Sequence, residues 1–195
     1  MPFNGELPPK PSMPHPFEVR ETPAGWGLFT TETFHIAQLV LKIVGPLIVG
    51  PSPEWTQRYQ PFPEKEARLI QVGADLYVEP TGLPHDYINH RCNNPSCSFH
   101  ITQSPDGPLG YLMAMYTIRP GQELTFDYSS CSTDEWVMPN CQCGDESCRG
   151  TIGNVLTIPE KRYQQYRSVG AIPEYAVKFR DEKGVSHGEE NFQNR

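Results

Sequence analysis

Three thiols within eight residues, Cys141-x-Cys143-x4-Cys148, limit this chain more than any other feature of its sequence. Thiols so closely spaced converge on one tetrahedral metal ion, and Zn²⁺ held by sulfur at ~2.3 Å is the usual solution. Ordinary buried thiols are the alternative, because unpaired cysteine is often buried. The polar and glycine residues around these three weigh against a core. A bound ion would order a segment with too few apolar residues to fold by itself. A structural site takes four ligands, so one more is expected from Cys92, Cys97 or Cys131. A disulfide framework is the weaker reading. The first residues, MPFNGELPPKPSMPHP, hold no apolar signal core and no run of positive charge, so a soluble, non-secreted and reduced chain is expected.

The rest of the chain is built from short pieces. With 21 prolines and 16 glycines, it favours turns and short strands over long helices. A hydrophobic fraction of 37% separates it from disordered chains, and 195 residues suit one domain with appendages. The longest apolar run, Leu39 to Val49, is broken by Lys42, Gly45 and Pro46 and is too short to span a bilayer. A net charge of -7 argues against non-specific nucleic-acid binding. It is compatible with electrostatic steering of a basic peptide.

Residues 1–16 read as a proline-rich arm, extended or poorly ordered. FEVRET alternates as a strand does, and LVLKIVG is apolar and β-branched. Residues 51–68 are a proline-broken stretch, a loop or a short helix. QVGADLYVEP predicts a strand ending in a turn, YINHRCNNPSCSFHI a loop flanked by apolar residues, and GYLMAMYTIRPGQELTFDY two strands around an Arg-Pro-Gly turn. A helix is expected from Pro159 to about Ser168, with proline in its first turn, and a second after Pro173. The polar tail from Asp181 is expected to fray. The fold class is mainly β with short helices, an α+β chain.

Four segments in order resemble one family. GWGLF (Gly25 to Phe29), INHRC (Ile88 to Cys92), GQELTFDY (Gly121 to Tyr128) and CQCGDESCRG (Cys141 to Gly150) are similar to the GxG, NHSC, GEELTFDY and post-SET CxCxxxxCRG motifs of SET-domain protein-lysine methyltransferases. The resemblance spans residues 17–152. It implies a SET domain over 17–131, a post-SET zinc segment over 132–153 and a partly helical extension over 154–195. It also implies small curved β-sheets with a knot-like threaded C-terminal segment, an exception to the usual rule.

The resemblance further implies that Gly25, Trp26, Gly27, Asn89, His90 and Tyr128 contact S-adenosylmethionine, and that Cys92 completes the zinc site with Cys141, Cys143 and Cys148, leaving Cys97 and Cys131 as free thiols. Tyr128 is the implied catalytic residue. Methyl transfer from a sulfonium is an in-line displacement that needs alignment and a neutral amine. A dry aromatic channel disfavours the charged form of a lysine whose ordinary pKa is about 10.4. Phe126 matches the family's Phe/Tyr switch and implies capacity for di- and trimethylation. Tyr77, Tyr87 and Tyr116 are candidates for the channel wall, where a methylated ammonium gains cation–π attraction.

Several positions depart from the family pattern. Arg91 replaces serine in NHSC, one residue is inserted after Cys92, and Ser96 stands where asparagine is usual. Asp86-Tyr87 replaces a common Arg-Phe, and no cysteine-rich pre-SET region precedes the domain. The implied function is methyl transfer to a protein lysine, with a histone tail as default substrate, by a monomer that contacts neither nucleic acid nor membrane. The altered loop after Cys92 motivates a second reading, a catalytically degenerate module that binds a peptide or cofactor. A zinc-stabilised interaction protein without cofactor is a third. Lys161-Arg162 is only a basic pair, so an intracellular location is expected without a choice between nucleus and cytoplasm.

Overall fold

The computed structural model describes residues 9–59, 68–135 and 137–183. Its strands form several small sheets rather than one large one. Strands β1 (Phe17–Thr22) and β2 (Gly25–Thr30) make an antiparallel hairpin. Gly25 takes φ 105° at its turn, a conformation open to glycine and strained for other residues. Thr22 ties that turn down, its hydroxyl donating to the Gly25 carbonyl at 2.9 Å.

Strand β3 (Leu39–Ile43) lies at the edge of a three-stranded sheet with β8 (Cys97–Ser104) and β9 (Gly107–Ala114), β9 being central. A second sheet holds β4 (Leu47–Val49), β5 (Ile70–Gly73) and β6 (Leu76–Val78), in the order β4-β6-β5. The two sheets meet at Gly110, where a Cβ would come within 3.3 Å of Ile43, Phe99 and Val72. Leu28, Ile43, Val72, Phe99, Leu112, Ile118, Leu124 and Phe126 form the main core. Helix α1 (Pro53–Tyr59) sets Trp55 against Tyr77, ring centroids 4.5 Å apart.

The shortest strands matter most for the site. β7 (Asn89–His90) and β10 (Thr125–Phe126) are two residues each and pair in parallel. β11 (Met138–Pro139) and β12 (Thr151–Ile152) close the cysteine segment as an antiparallel pair. Two helices follow, α2 (Glu160–Ser168) and α3 (Glu174–Glu182). Each starts after a proline, carries a glutamate in its first turn and ends with an arginine in its last, as capping and dipole preferences favour. They build a second core from Val155, Ile158, Tyr163, Tyr166, Ile172 and Val177.

The expected strands at 17–22 and 39–43 and both C-terminal helices are present. QVGADLYVEP is not one strand but a hairpin, β5 and β6 around Ala74-Asp75. GYLMAMYTIRPGQELTFDY gives two strands with a turn between them, but the two do not pair with each other: β9 pairs with β3 and β8, whereas β10 crosses to β7. Local turn chemistry at Arg119–Gln122 is present, but burial of Leu124 and Phe126 sends the following strand to another partner. The N-terminal arm is partly docked, with Met13 against the core and Thr31 N–H donating to the Pro16 carbonyl at 2.8 Å. The remainder of that arm, residues 1–8, and the tail from 184 lie outside the described residues.

Candidate active site

The parallel pairing of β7 with β10 sets Asn89 opposite Thr125 and His90 opposite Phe126. Two segments about 35 residues apart in sequence therefore share one short ladder, extended by Arg91 N–H donating to the Phe126 carbonyl at 3.1 Å. Strand β2 joins from the other side through Leu124 N–H to the Leu28 carbonyl at 2.7 Å. A Cβ at Gly27 would lie 2.6 Å from the Glu123 carboxylate and 2.9 Å from the Asn89 amide nitrogen. Glycine is thus required for the approach of β2 to the ladder. Asn89 donates to Glu123 Oε1 at 2.8 Å. Gly25, Trp26, Gly27, Asn89, His90 and Tyr128, all named from sequence, are gathered into one region.

Tyr128 is held at both ends. Its hydroxyl donates to the Ile88 carbonyl at 2.5 Å, and its N–H donates to His90 Nδ1 at 3.1 Å. Its ring stacks at a tilt on Phe126, centroids 4.8 Å apart. Burial pushes the phenol pKa well above its ordinary value, so Tyr128 is a neutral hydrogen-bonding group at physiological pH and not a base. Because His90 Nδ1 accepts, its proton sits on Nε2, 3.1 Å from Cys92 Sγ. Burial lowers the His90 pKa to about 4 against the pull of Asp127, which keeps the ring neutral.

Asp127 is buried between these groups and a partner from the cysteine segment. Arg149 grips it with two bonds of 2.7 Å each and also reaches Ser129 Oγ at 3.0 Å. Such a planar fork matches a carboxylate in geometry and charge. Tyr166 of α2 lies 3.5 Å from the same carboxylate. The residue before Tyr128 is thereby fastened to segments that follow it in the chain.

Cys92 Sγ is 3.6 Å from that of Cys141 and 3.7 Å from that of Cys148, and the ligand atoms of Cys92, Cys141, Cys143 and Cys148 all lie within 4.8 Å of one another. A tetrahedral Zn–S₄ centre with ~2.3 Å bonds requires sulfur separations of about 3.8 Å. The four thiols fit that centre. Cys97 and Cys131 are buried elsewhere. The departures from the family motif serve this segment: Arg91 pairs with Asp145 at 3.2 Å, and the amide of Asn93, beside the insertion, donates to Ser147 Oγ at 2.8 Å. Ser96 exchanges hydrogen bonds with Thr125, accepting its N–H at 2.8 Å and donating its own N–H to Oγ1 at 3.1 Å.

A cavity of about 100 Å³ opens beside Tyr128 and Phe126. Its wall includes Trp55, Tyr77, His85, Ile88 and Asp134, and Tyr77 donates to Asp134 Oδ1 at 2.6 Å. Space of this size suits one extended side chain. Of the three tyrosines expected on its wall, Tyr77 is there and Tyr87 and Tyr116 are not. Tyr87 packs against the main core and Tyr116 is 40% exposed. Sequence reasoning missed Trp55, His85 and Arg149. Only Arg149 had a visible signal, its place in the CRG segment.

A family model described as the SET domain matches residues 25–129, more than half of the chain. The chain belongs to the SET-domain family. The matched stretch runs from the first residue of β2 to Ser129, just past Tyr128. Among curated proteins, this SET-domain chain is 29% identical over 138 residues to the histone-lysine N-methyltransferase, H3 lysine-4 specific, of Cryptococcus neoformans, covering 69% of the chain and 9% of that protein. It is 25% identical over 146 residues to histone-lysine N-methyltransferase ASHR3 of Arabidopsis thaliana, covering 72% of the chain and 28% of that protein. It is 37% identical over 75 residues to histone-lysine N-methyltransferase mes-4 of Caenorhabditis elegans, covering 34% of the chain and 8% of that protein. The chain thus spans less than a third of the length of these relatives. Among the described residues, no helix is long and apolar enough to cross a membrane.

Proposed function

We propose that this SET-domain protein transfers methyl groups from S-adenosylmethionine to the side-chain amine of a protein lysine. The observation that carries the reading is the cavity lined by Tyr128 and Phe126 beside the ladder of Asn89 and His90. Bound S-adenosylmethionine supplies an electrophilic methyl on a sulfonium. Gly25, Trp26, Gly27, Asn89, His90 and Tyr128 would hold it, and the cavity admits the lysine from the other side. The residues themselves contribute orientation and exclusion of water. The Ile88 carbonyl fixes the Tyr128 hydroxyl, His90 fixes its backbone, and Trp55, Tyr77 and Phe126 make the wall aromatic. Alignment of this kind is what an in-line displacement requires. Zn²⁺ on Cys92, Cys141, Cys143 and Cys148 has a structural part, joining the loop after β7 to the C-terminal segment. Phe126 at the switch position supports progress to di- and trimethyl-lysine.

Relatives named for histone lysines make a histone tail the first substrate to try, in an intracellular setting and without a requirement for a partner chain. The degenerate-module reading was motivated by the altered loop after Cys92. Arg91 and Asn93 are both engaged with the cysteine segment, so the alteration is compatible with a working site. The test is transfer of labelled methyl onto core histones and a cell lysate, beside Tyr128→Phe. A labelled protein band that the variant does not label supports the enzyme. A folded, cofactor-binding protein that labels nothing leaves the binding module.

A further inference from the structure

The cavity wall holds a pair that the motifs do not account for. His85 is 3% exposed, and its Nε2 has no hydrogen-bond partner among the described residues. Asp86 Oδ1 lies 3.1 Å from that nitrogen, close enough for ion pairing but not aligned for a hydrogen bond. The Asp86 side chain is itself 1% exposed. Its other oxygen accepts the N–H groups of Thr81 at 2.7 Å and Gly82 at 2.5 Å. Those two donors hold the carboxylate in place. Asp86 stands where an arginine commonly precedes the INHRC-type motif, so the charge at this position is reversed in this chain.

Methyl transfer to an ammonium is impossible until it gives up a proton, because the displacing group is the nitrogen lone pair. The titratable and charged groups on this wall are Arg68, Tyr77, His85, Asp86, Tyr128, Cys131 and Asp134. Tyr128 and Cys131 keep their protons, since burial raises both. Arg68 has no acceptor atom. Asp134 Oδ1 accepts the Tyr77 hydroxyl hydrogen, which engages both groups, and Asp86 Oδ2 accepts from two amides. His85 Nε2 is the buried basic atom on this wall with no hydrogen-bond partner among the described residues. Burial lowers the imidazole pKa while Asp86 raises it. It therefore enters the cycle neutral, with a carboxylate beside it to receive the positive form.

We propose that His85, backed by Asp86, is the proton acceptor for the substrate amine, directly or through one water. The inference rests on the methyltransferase reading above. An N–H bond of the substrate ammonium breaks and an N–H bond forms at His85 Nε2. The freed lone pair forms the N–CH₃ bond as the methyl leaves sulfur, which keeps the S–C electron pair and becomes a neutral thioether. The imidazolium then gives its proton to water at the cavity mouth. The wall thus accounts for the one proton that each methylation releases.

The experiment is single-turnover transfer of labelled methyl to core histones across about pH 6–10, comparing wild type with His85→Gln. The wild-type rate is expected to level off towards high pH. The variant is expected to be about 10²-fold slower near neutrality, with histone affinity little changed. Its rate should climb about tenfold per pH unit without levelling, because only the amine's own ionisation remains. A variant profile that overlays wild type in height and shape overturns the inference and leaves the methyltransferase reading intact. Wild type that labels neither histones nor lysate proteins takes down both. Should the variant not fold, ¹⁵N-histidine spectra of wild type with saturating histones decide. A His85 ring that becomes imidazolium supports the role, and one that stays neutral sinks it.

Discussion

Tyr128 has two anchors with separate consequences. Its backbone bond to His90 survives in Tyr128→Phe, whereas the hydroxyl bond to the Ile88 carbonyl does not. The variant should stay folded, with a melting temperature within a few degrees of wild type, and lose about 10²-fold or more in transfer rate. Gly27→Ala acts differently. Its methyl group would meet Glu123, Thr22 and Asn89 at 2.6, 2.7 and 2.9 Å, a strain of about 1–3 kcal/mol. Calorimetry should show loss of S-adenosylmethionine binding before loss of folding. Arg149→Met would leave the Asp127 carboxylate buried without its counter-ion. A cost of about 3–5 kcal/mol is expected from the denaturant midpoint. At this scale Asn89, His90, Cys92, Phe126 and Tyr128 were legible because each sits inside a motif that resembles a family. Ser96 and His85 were not, because their roles depend on partners that folding supplies, and Arg149, although inside the CRG segment, meets its partner Asp127 only in the fold. Trp55 reaches the cavity only because α1 packs on Tyr77, and no local pattern announces that.

The elements that make the site are the ones with the weakest local signals. β7 and β10 are two residues each and pair in parallel across the core, so neither alternation nor a turn marks them. The helices α2 and α3 were legible to within a residue or two, since a proline at each start is a local signal. The hairpin of β5 and β6 was missed because Ala74-Asp75 lacks the glycine or asparagine that usually marks such a turn. The cysteine segment offers the sharpest test at this scale. With only the pair β11–β12 and few buried apolar residues, it would depend on an ion held by the four cysteines. Chelation should abolish amide protection across residues 138–152 while the hairpin of β8 and β9 keeps its own. Metal analysis should return about one zinc per chain, and Cys92→Ser should lose it.

For the molecule as a whole, acid is the condition to test. Burial lowers the pKa of both His85 and His100 from 6.5. Below that value the unfolded chain takes protons that the folded chain refuses. The unfolded state then binds more protons, so stability falls as pH drops through 6.5 towards the folded values. Urea midpoints at about pH 7.5 and 5.5 should differ in that direction. Cysteine ligands add a metal-linked loss of the same sign, so His100→Gln, away from the thiols, should flatten part of the slope. The family and the mainly β fold class were legible in the sequence as a whole. The route by which the tail reaches the site was not.

That route bears on synthesis. Arg149 grips Asp127, and Tyr175 of α3 donates its hydroxyl to the Cys131 carbonyl at 2.5 Å. A ribosome has therefore finished every residue of INHRC and TFDY before it adds the groups that fasten them. At 5–20 residues per second the interval from Tyr128 to Tyr175 is roughly 2–10 s. A nascent chain, or one stopped before residue 149, carries all the motif residues near Tyr128 and lacks the fastenings from Arg149, Tyr166 and Tyr175. Loss of the segment beyond Cys131 should therefore release Asp127 from Arg149 without removing any residue of INHRC or TFDY.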